Sequence, residues 1–158
     1  PWFVCRPENR DYLRWCREAL APCRVAVEFR HRSWFAGAEA ARTLAFLERE
    51  GLVHVIADEP QVGSGCVPPV VAATAPDLAI LRFHGRNAAT WYARTRTSGE
   101  RFNYLYSRAE LAEWAERIAR LAEEVEEVHA LMNNNHANYA VLNARELMDL
   151  LGLAPPAA

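Results

Sequence analysis

Four short apolar runs punctuate the chain: Arg24 to Phe29, Val53 to Ala57, Leu78 to Phe83 and Val128 to Met132. Each is rich in Val, Ile, Leu or Phe and largely lacks the alternation of a half-exposed strand. That pattern predicts strands buried on both faces of a parallel sheet. Between them the apolar period lengthens to three or four residues. A first helix is predicted over roughly Glu8 to Leu20, with Tyr12, Leu13, Cys16 and Leu20 along one side. A second, roughly Ala38 to Glu50, repeats Ala40, Leu44 and Leu47, and Gly51 follows as its C-terminal cap. The third is the clearest. Ser107 and Glu110 stand at capping-box spacing. Leu111, Trp114, Ala115, Ile118, Leu121 and Ala122 then form an apolar stripe. The last runs from about Tyr139 to Leu151, with Ala140, Ala144, Leu147 and Leu151 in register. Gly152 closes it, and Pro155-Pro156 bars continuation.

Strand and helix alternate, which predicts an α/β fold of βα units with right-handed crossovers. Two connections depart from the pattern. Asp58 to Asp77 contains "PQVGSGCVPPV", too rich in Gly and Pro for a regular helix. Gly85 to Tyr106 is a long loop, and long loops in compact domains are often functional.

Composition narrows the classes. The 158 residues suit one ordinary domain, and a net charge of -2 gives no global field toward nucleic acid or anionic membrane. All 18 basic residues are Arg, whose planar fork of donors suits carboxylate and phosphate. Cys5, Cys16, Cys23 and Cys66 show no C-x-x-C spacing, so neither a zinc site nor a disulfide framework is expected. No apolar run approaches the ~20 residues of a membrane span, and no charged-then-apolar leader pattern is read in these residues. The expectation is a cytoplasmic protein with free thiols. "PWFVCRPEN" has no Met and reads as the interior of a longer chain.

In parallel α/β folds ligands bind beyond the carboxyl ends of the strands. The first run delivers Glu28, Arg30, His31 and, slightly later, Trp34; the second, Asp58 and Glu59. The third delivers Arg82, His84, Arg86 and Asn87. The fourth delivers Asn133, Asn134, Asn135 and His136, with Tyr139 and Asn143 on the helix that follows. Four strands turning polar at one level predict a shared hollow. There Arg30, Arg82 and Arg86 would clamp an anion. Glu28 and Asp58 would work as acid and base, with Glu59 also available and His84 assisting. Trp34, Asn87, Trp91, Asn133, Asn135 and His136 would line the cleft, the amides bonding substrate hydroxyls. Glu28, Asp58, His84 and His136 carry metal-compatible donors, but their linear spacing supports no ligand set. No metal is therefore expected, and no cofactor is specified.

Structural readings stand beside these. Glu28 with Arg82 or Arg30 also makes a closed salt bridge, and "NNNH" also makes a turn that caps the last helix. The loop over 86–106, with Trp91, Tyr92, Arg94, Arg96 and Arg101, also suits a nucleic-acid or nucleotide backbone.

"VAVEFRHRSWF", "ADEP", "LRFHGRN", "YLYSRAELAEWAERI" and "NNNHANYAVLNARELMDLLG" together resemble the hallmarks of domain-of-unknown-function family 72, the YecE-like proteins. The resemblance covers nearly the whole chain. It implies a TIM-like (β/α) barrel of which residues 1–152 are the C-terminal half, with 153–158 as a tail, and no established activity. It also implies that the four strands expose two edges and the inner face of their sheet, and so need a missing N-terminal half, or a second copy, to cover them. In the family's usual Asn-Asn-His pattern there is one Asn fewer, so the alignment of Asn133 to Asn135 stays open.

Overall fold

The structure is a computed structural model, described here over residues 2–153. The elements run α1 (Pro7–Ala19), β1 (Ala26–Val27), a 3-10 turn (Arg32–Phe35), α2 (Glu39–Glu50), β2 (Val53–Asp58), β3 (Leu78–Phe83), a short α3 (Ser98–Arg101), α4 (Arg108–Leu121), β4 (Glu127–Met132) and α5 (Tyr139–Leu150). The strands form one parallel sheet in the order β1-β2-β3-β4, and the sheet is open at both edges. The α/β class is as the sequence predicts. The proposed tail falls mostly outside the described residues, as does Pro155-Pro156.

Register sorts the side chains into two faces. Asp58, Phe83 and Met132 share a level, and so do Ala57, Arg82 and Leu131. Successive strand residues point to opposite faces, so these two sets face apart. Ile56, Leu81 and Phe83 turn toward the helices, packing with Tyr106, Leu111, Trp114, Ile118 and Leu147. A second cluster, Leu13, Val27, Phe29, Trp34, Phe46 and Leu47, fills the space between the amino-terminal helices and β1–β2. Each large side chain here contributes roughly 1.5–3 kcal/mol through burial.

Three expectations need correction. The predicted first strand, Arg24 to Phe29, pairs over Ala26–Val27 alone, because β1 is an edge strand with only β2 beside it. The expected double burial holds for β2 but not for β3 and β4, which alternate. Among the described residues nothing covers their second face, where Leu131 is 48 % exposed. The α1 stripe reduces to Leu13, because this helix flanks the open edge, and Tyr12 and Leu20 are exposed. In α2 the predicted stripe holds: Leu47 is buried, Ala40 and Leu44 pack partly buried against the same cluster, and Thr43 and Phe46 join them.

The Gly/Pro-rich segment replaces a helix as the crossover from β2 to β3. The Thr74 hydroxyl donates to the Leu52 carbonyl at 2.7 Å and accepts from His54 N–H at 2.8 Å. The buried His54 ring meets the Val70 carbonyl through Nε2 at 3.1 Å. Four cysteines are free thiols. No described helix is long and apolar enough to cross a membrane.

Burial pushes the His54 imidazole down to about 4, against the Val70 carbonyl that favours its charge. The unfolded chain takes up this proton near pH 6.5, so His54 removes stability as pH falls from there toward 4, by up to about 3 kcal/mol. In urea unfolding of the intact protein, His54→Leu is expected to lose less stability than the wild type across that window. Parallel losses would show that another group is responsible.

Candidate active site

Glu28 follows Val27 and turns to the face away from the helices. Its Oε1 accepts from Arg30 Nη1 and His84 Nε2, each at 2.8 Å, and its Oε2 accepts from Arg82 Nη1. Arg82 comes from β3, two strands away, and reaches across β2 at the level of Ala57, whose methyl leaves the way open. Asn133, at the end of β4, completes the group. Its Oδ1 accepts from Arg82 Nη2 and its Nδ2 meets His84 Nδ1, both at 3.0 Å. Because Arg82 can only donate, the amide orientation is fixed. Nδ2 then donates to His84 Nδ1, and His84 Nε2 carries the hydrogen given to Glu28.

Burial pushes the Glu28 carboxyl up, but hydrogen bonds from His84, Arg30 and Arg82 outweigh it and hold it at about 2. Glu59, fully buried, lies on the same face. Its Oε1 accepts from Val67 N–H at 2.7 Å. Its Oε2 sits 3.0 Å from Arg30 Nη1 but outside hydrogen-bond geometry, leaving that oxygen without a donor. Burial pushes Glu59 up to about 7, against the pull of Arg30. The Arg30 guanidinium lies 5.2 Å over the Trp91 ring, and Trp91 and Phe102 pack edge-on behind His84.

Asp58 is elsewhere. One residue before Glu59, it points to the helix side. Arg86 grips it through Nε and Nη2, and the Tyr106 hydroxyl donates to it at 2.6 Å. Gly85, at φ 85°, turns the chain so that Arg86 drops to this side, and a Cβ there would meet Tyr104 Cβ at 2.7 Å. Arg86 also bonds Glu110, whose other oxygen accepts from Ser107 N–H in the capping box of α4. Burial and the neighbouring Asp58 push the Tyr106 phenol far up. Burial opposes the Arg86 charge, but Asp58 outweighs it and raises Arg86 further. The predicted pairing of Glu28 with Asp58 is therefore not formed, and Arg86 does not join Arg30 and Arg82. Strand alternation separates them.

Trp34 does not line a cleft. It is fully buried, stacked on Phe29 and Phe3, with Nε1 donating to the Phe3 carbonyl at 2.7 Å. Asn87 shapes its own loop, accepting from Ala89 N–H and donating to the Asn103 carbonyl. The Asn run does not cap α5, whose N-cap Asn138 makes no side-chain cap bond. Instead Asn135 donates to Ser98 Oγ and His136 meets the Gly99 carbonyl, both away from Glu28. The left-handed residue of that turn is Ala137, not an Asn. Asn134 and Asn143 do more than their place in the sequence suggests. Asn143 brackets the Tyr106 backbone, accepting from its N–H at 3.0 Å and donating to its carbonyl at 2.9 Å. Asn134 donates to Asn143 and to the Tyr104 carbonyl. Among the described residues no group of three or more His, Cys, Asp or Glu side chains is disposed to hold a metal ion.

The fold and cluster define a parallel α/β protein with a carboxylate-arginine-imidazole constellation at the carboxyl ends of its strands. The chain belongs to the DUF72 family, described as a protein of unknown function, whose model matches residues 1–158. It is 39% identical over 163 residues to the UPF0759 protein YunF of Bacillus subtilis, covering 98% of this chain and 58% of that protein. A DUF72 family protein of Enterococcus faecalis superposes with a TM-score of 0.90 at 34% identity, over 98% of this chain and 56% of that one. One from Thermotoga maritima gives 0.85 at 35%, over 96% and 54%. The chain thus spans somewhat over half the length of these relatives.

Asn143→Ala strands the Tyr106 amide and carbonyl in a buried place. It is expected to cost about 2–4 kcal/mol in unfolding free energy. A loss within the scatter of surface substitutions would show that water replaces both bonds.

Proposed function

We propose that this chain is part of an enzyme that acts on a small anionic or phosphorylated, sugar-like substrate by carboxylate acid/base chemistry. The observation that carries the reading is Arg30. It is one-third exposed, stands beside Glu28 and over Trp91, and gives only Nη1 to protein acceptors among the described residues. Its Nε and Nη2 are left to take an oxyanion. Arg82 would share that role, Glu28 would handle the proton, and His84 and Asn133 would orient it. The scaffold we propose is a TIM-like barrel with residues 1–152 as its C-terminal half. The uncovered face of β3 and β4 supports this, as does the greater length of the relatives. Further strands, from the rest of the protein or a second copy, would close the sheet and complete the site. Four free thiols suit a cytoplasmic setting.

A second reading rests on the loop beside the site, where Tyr92, Arg94, Arg96 and Arg101 are exposed. It takes a nucleic-acid backbone as the ligand.

Trp91 offers the test. Titrating the intact protein with phosphate monoesters is expected to change its tryptophan fluorescence saturably, and the change should vanish in Trp91→Phe. Arg30→Ala should weaken binding by about 10–100-fold, the worth of a charge-assisted bond or two. Glu28→Gln should tighten it, because a competing anion is gone. No saturable response from any monoester would sink the small-anion reading, whereas oligonucleotide binding that collapses with salt would favour the second.

A further inference from the structure

Glu59 is the one group near the cluster whose chemistry is left over. Its side chain is completely buried, yet Oε2 has no hydrogen-bond donor. Such an oxygen is costly to keep charged and idle. The nearest polar atom described for it is Arg30 Nη1, the nitrogen already bonded to Glu28 Oε1. Two carboxyl groups therefore meet at a single N–H-bearing nitrogen.

We propose that Glu59 is a proton-holding positioning residue that acts on Glu28 through Arg30. Carrying its proton, Glu59 makes no claim on the guanidinium, and Arg30 serves Glu28 and the space over Trp91. Losing it, Glu59 becomes a second buried carboxylate and draws Arg30 toward itself, away from Glu28 and from any bound anion. The step is a simple ionisation: the carboxyl O–H bond breaks, its electron pair stays on Oε2, and the proton passes to water or ligand. An anion arriving at Arg30 favours the protonated form, so binding and proton uptake go together.

The surroundings fit this assignment. Arg30 and Glu28 face Glu59 from the end of β1, and Val67 N–H holds Oε1 from the crossover segment. Asp58, adjacent in β2, adds negative charge but spends it on Arg86 and Tyr106. Tyr92, beside Cys66, is a further titratable neighbour, and its phenol is itself pushed up by its hydrogen bond to Cys66. Burial and two carboxylates thus favour the proton on Glu59, and only Arg30 and one backbone amide oppose it. The stability linkage has a definite sign. Glu59 sits near 7, above the carboxylate value of 4.5, so its contribution is intact below pH 4.5 and is lost as pH rises through 7.

This inference rests on the acid/base reading of the site, but its test needs no ligand. Intact protein carrying carboxyl-13C glutamate is titrated by NMR from acid to mildly alkaline pH. One glutamate is expected to titrate near neutrality and to vanish from the spectrum in Glu59→Gln. In Glu28→Gln its midpoint should fall by about one pH unit or more, because Arg30 is freed to pair with it and a like charge is removed. In Arg30→Met the midpoint should rise, which covers the case where Glu28→Gln does not fold. A Glu59 that titrates as an ordinary carboxyl, or ignores both substitutions, overturns the proposal. If Glu59 behaves as described while Arg30→Ala leaves phosphate-monoester binding untouched, the anion reading fails and the coupling stands.

Discussion

An ionised carboxylate largely removed from water, at the end of a strand only two residues long, is what this arrangement must accommodate. Taking such a charge out of water costs several kcal/mol unless partners of good geometry surround it. Glu28 is met by Arg30, His84 and Arg82, and the last two are held in turn by Asn133. These contacts link the end of β1 to the ends of β3 and β4 without using a backbone hydrogen bond. They also explain why the β1 segment stays docked although so little of it pairs. Ala57 matters here for what it lacks, since a larger side chain at that level would stand between Glu28 and Arg82.

The helix-facing side has a second carboxylate-arginine pair, and the contrast between the two is instructive. Asp58 is saturated by Arg86 and Tyr106, and those partners are anchored by Glu110 and Gly85 N–H. Its network ties the loop after β3 to the start of α4, and every strong acceptor in it is spoken for. Around Glu28 the guanidinium groups keep donors in reserve, and the sheet beside them lies open. The same two residue types thus build a fastening on one face and a receptive cluster on the other.

Much of the architecture was legible in the apolar pattern. The strands β2, β3 and β4 and the capped helix α4 were readable because each combines a strong period with clear end residues. The convergence of Glu28, Arg30, Arg82, His84 and Asn133 was readable from strand ends alone. What failed depended on facts no local pattern carries. Asp58 and Glu59 are neighbours at one strand end, and only the pleat decides which joins the arginines. Trp34 follows a polar stretch and so read as a cleft wall, yet a 3-10 turn folds it back onto Phe29. The Asn run read as a cap or a binding strip, whereas Asn133, Asn134 and Asn135 bond Arg82, His84, Tyr104, Asn143 and Ser98 because β4 ends beside both the site and the loop. The open face of β3 and β4 was implied by the family resemblance but not by their own apolar runs, since residues such as Ile80 and Leu131 occupy it.

The opposed directions of Asp58 and Glu59 have an evolutionary corollary. Inserting or deleting one residue within β2 would exchange them, thrusting Glu59 into the packing around Phe83 and Tyr106 and setting Asp58 among the arginines. Both faces would lose their charge matching together. Length changes in this lineage should therefore be purged from β2 and collect in the irregular crossover that follows it, where no alternation has to be kept in step.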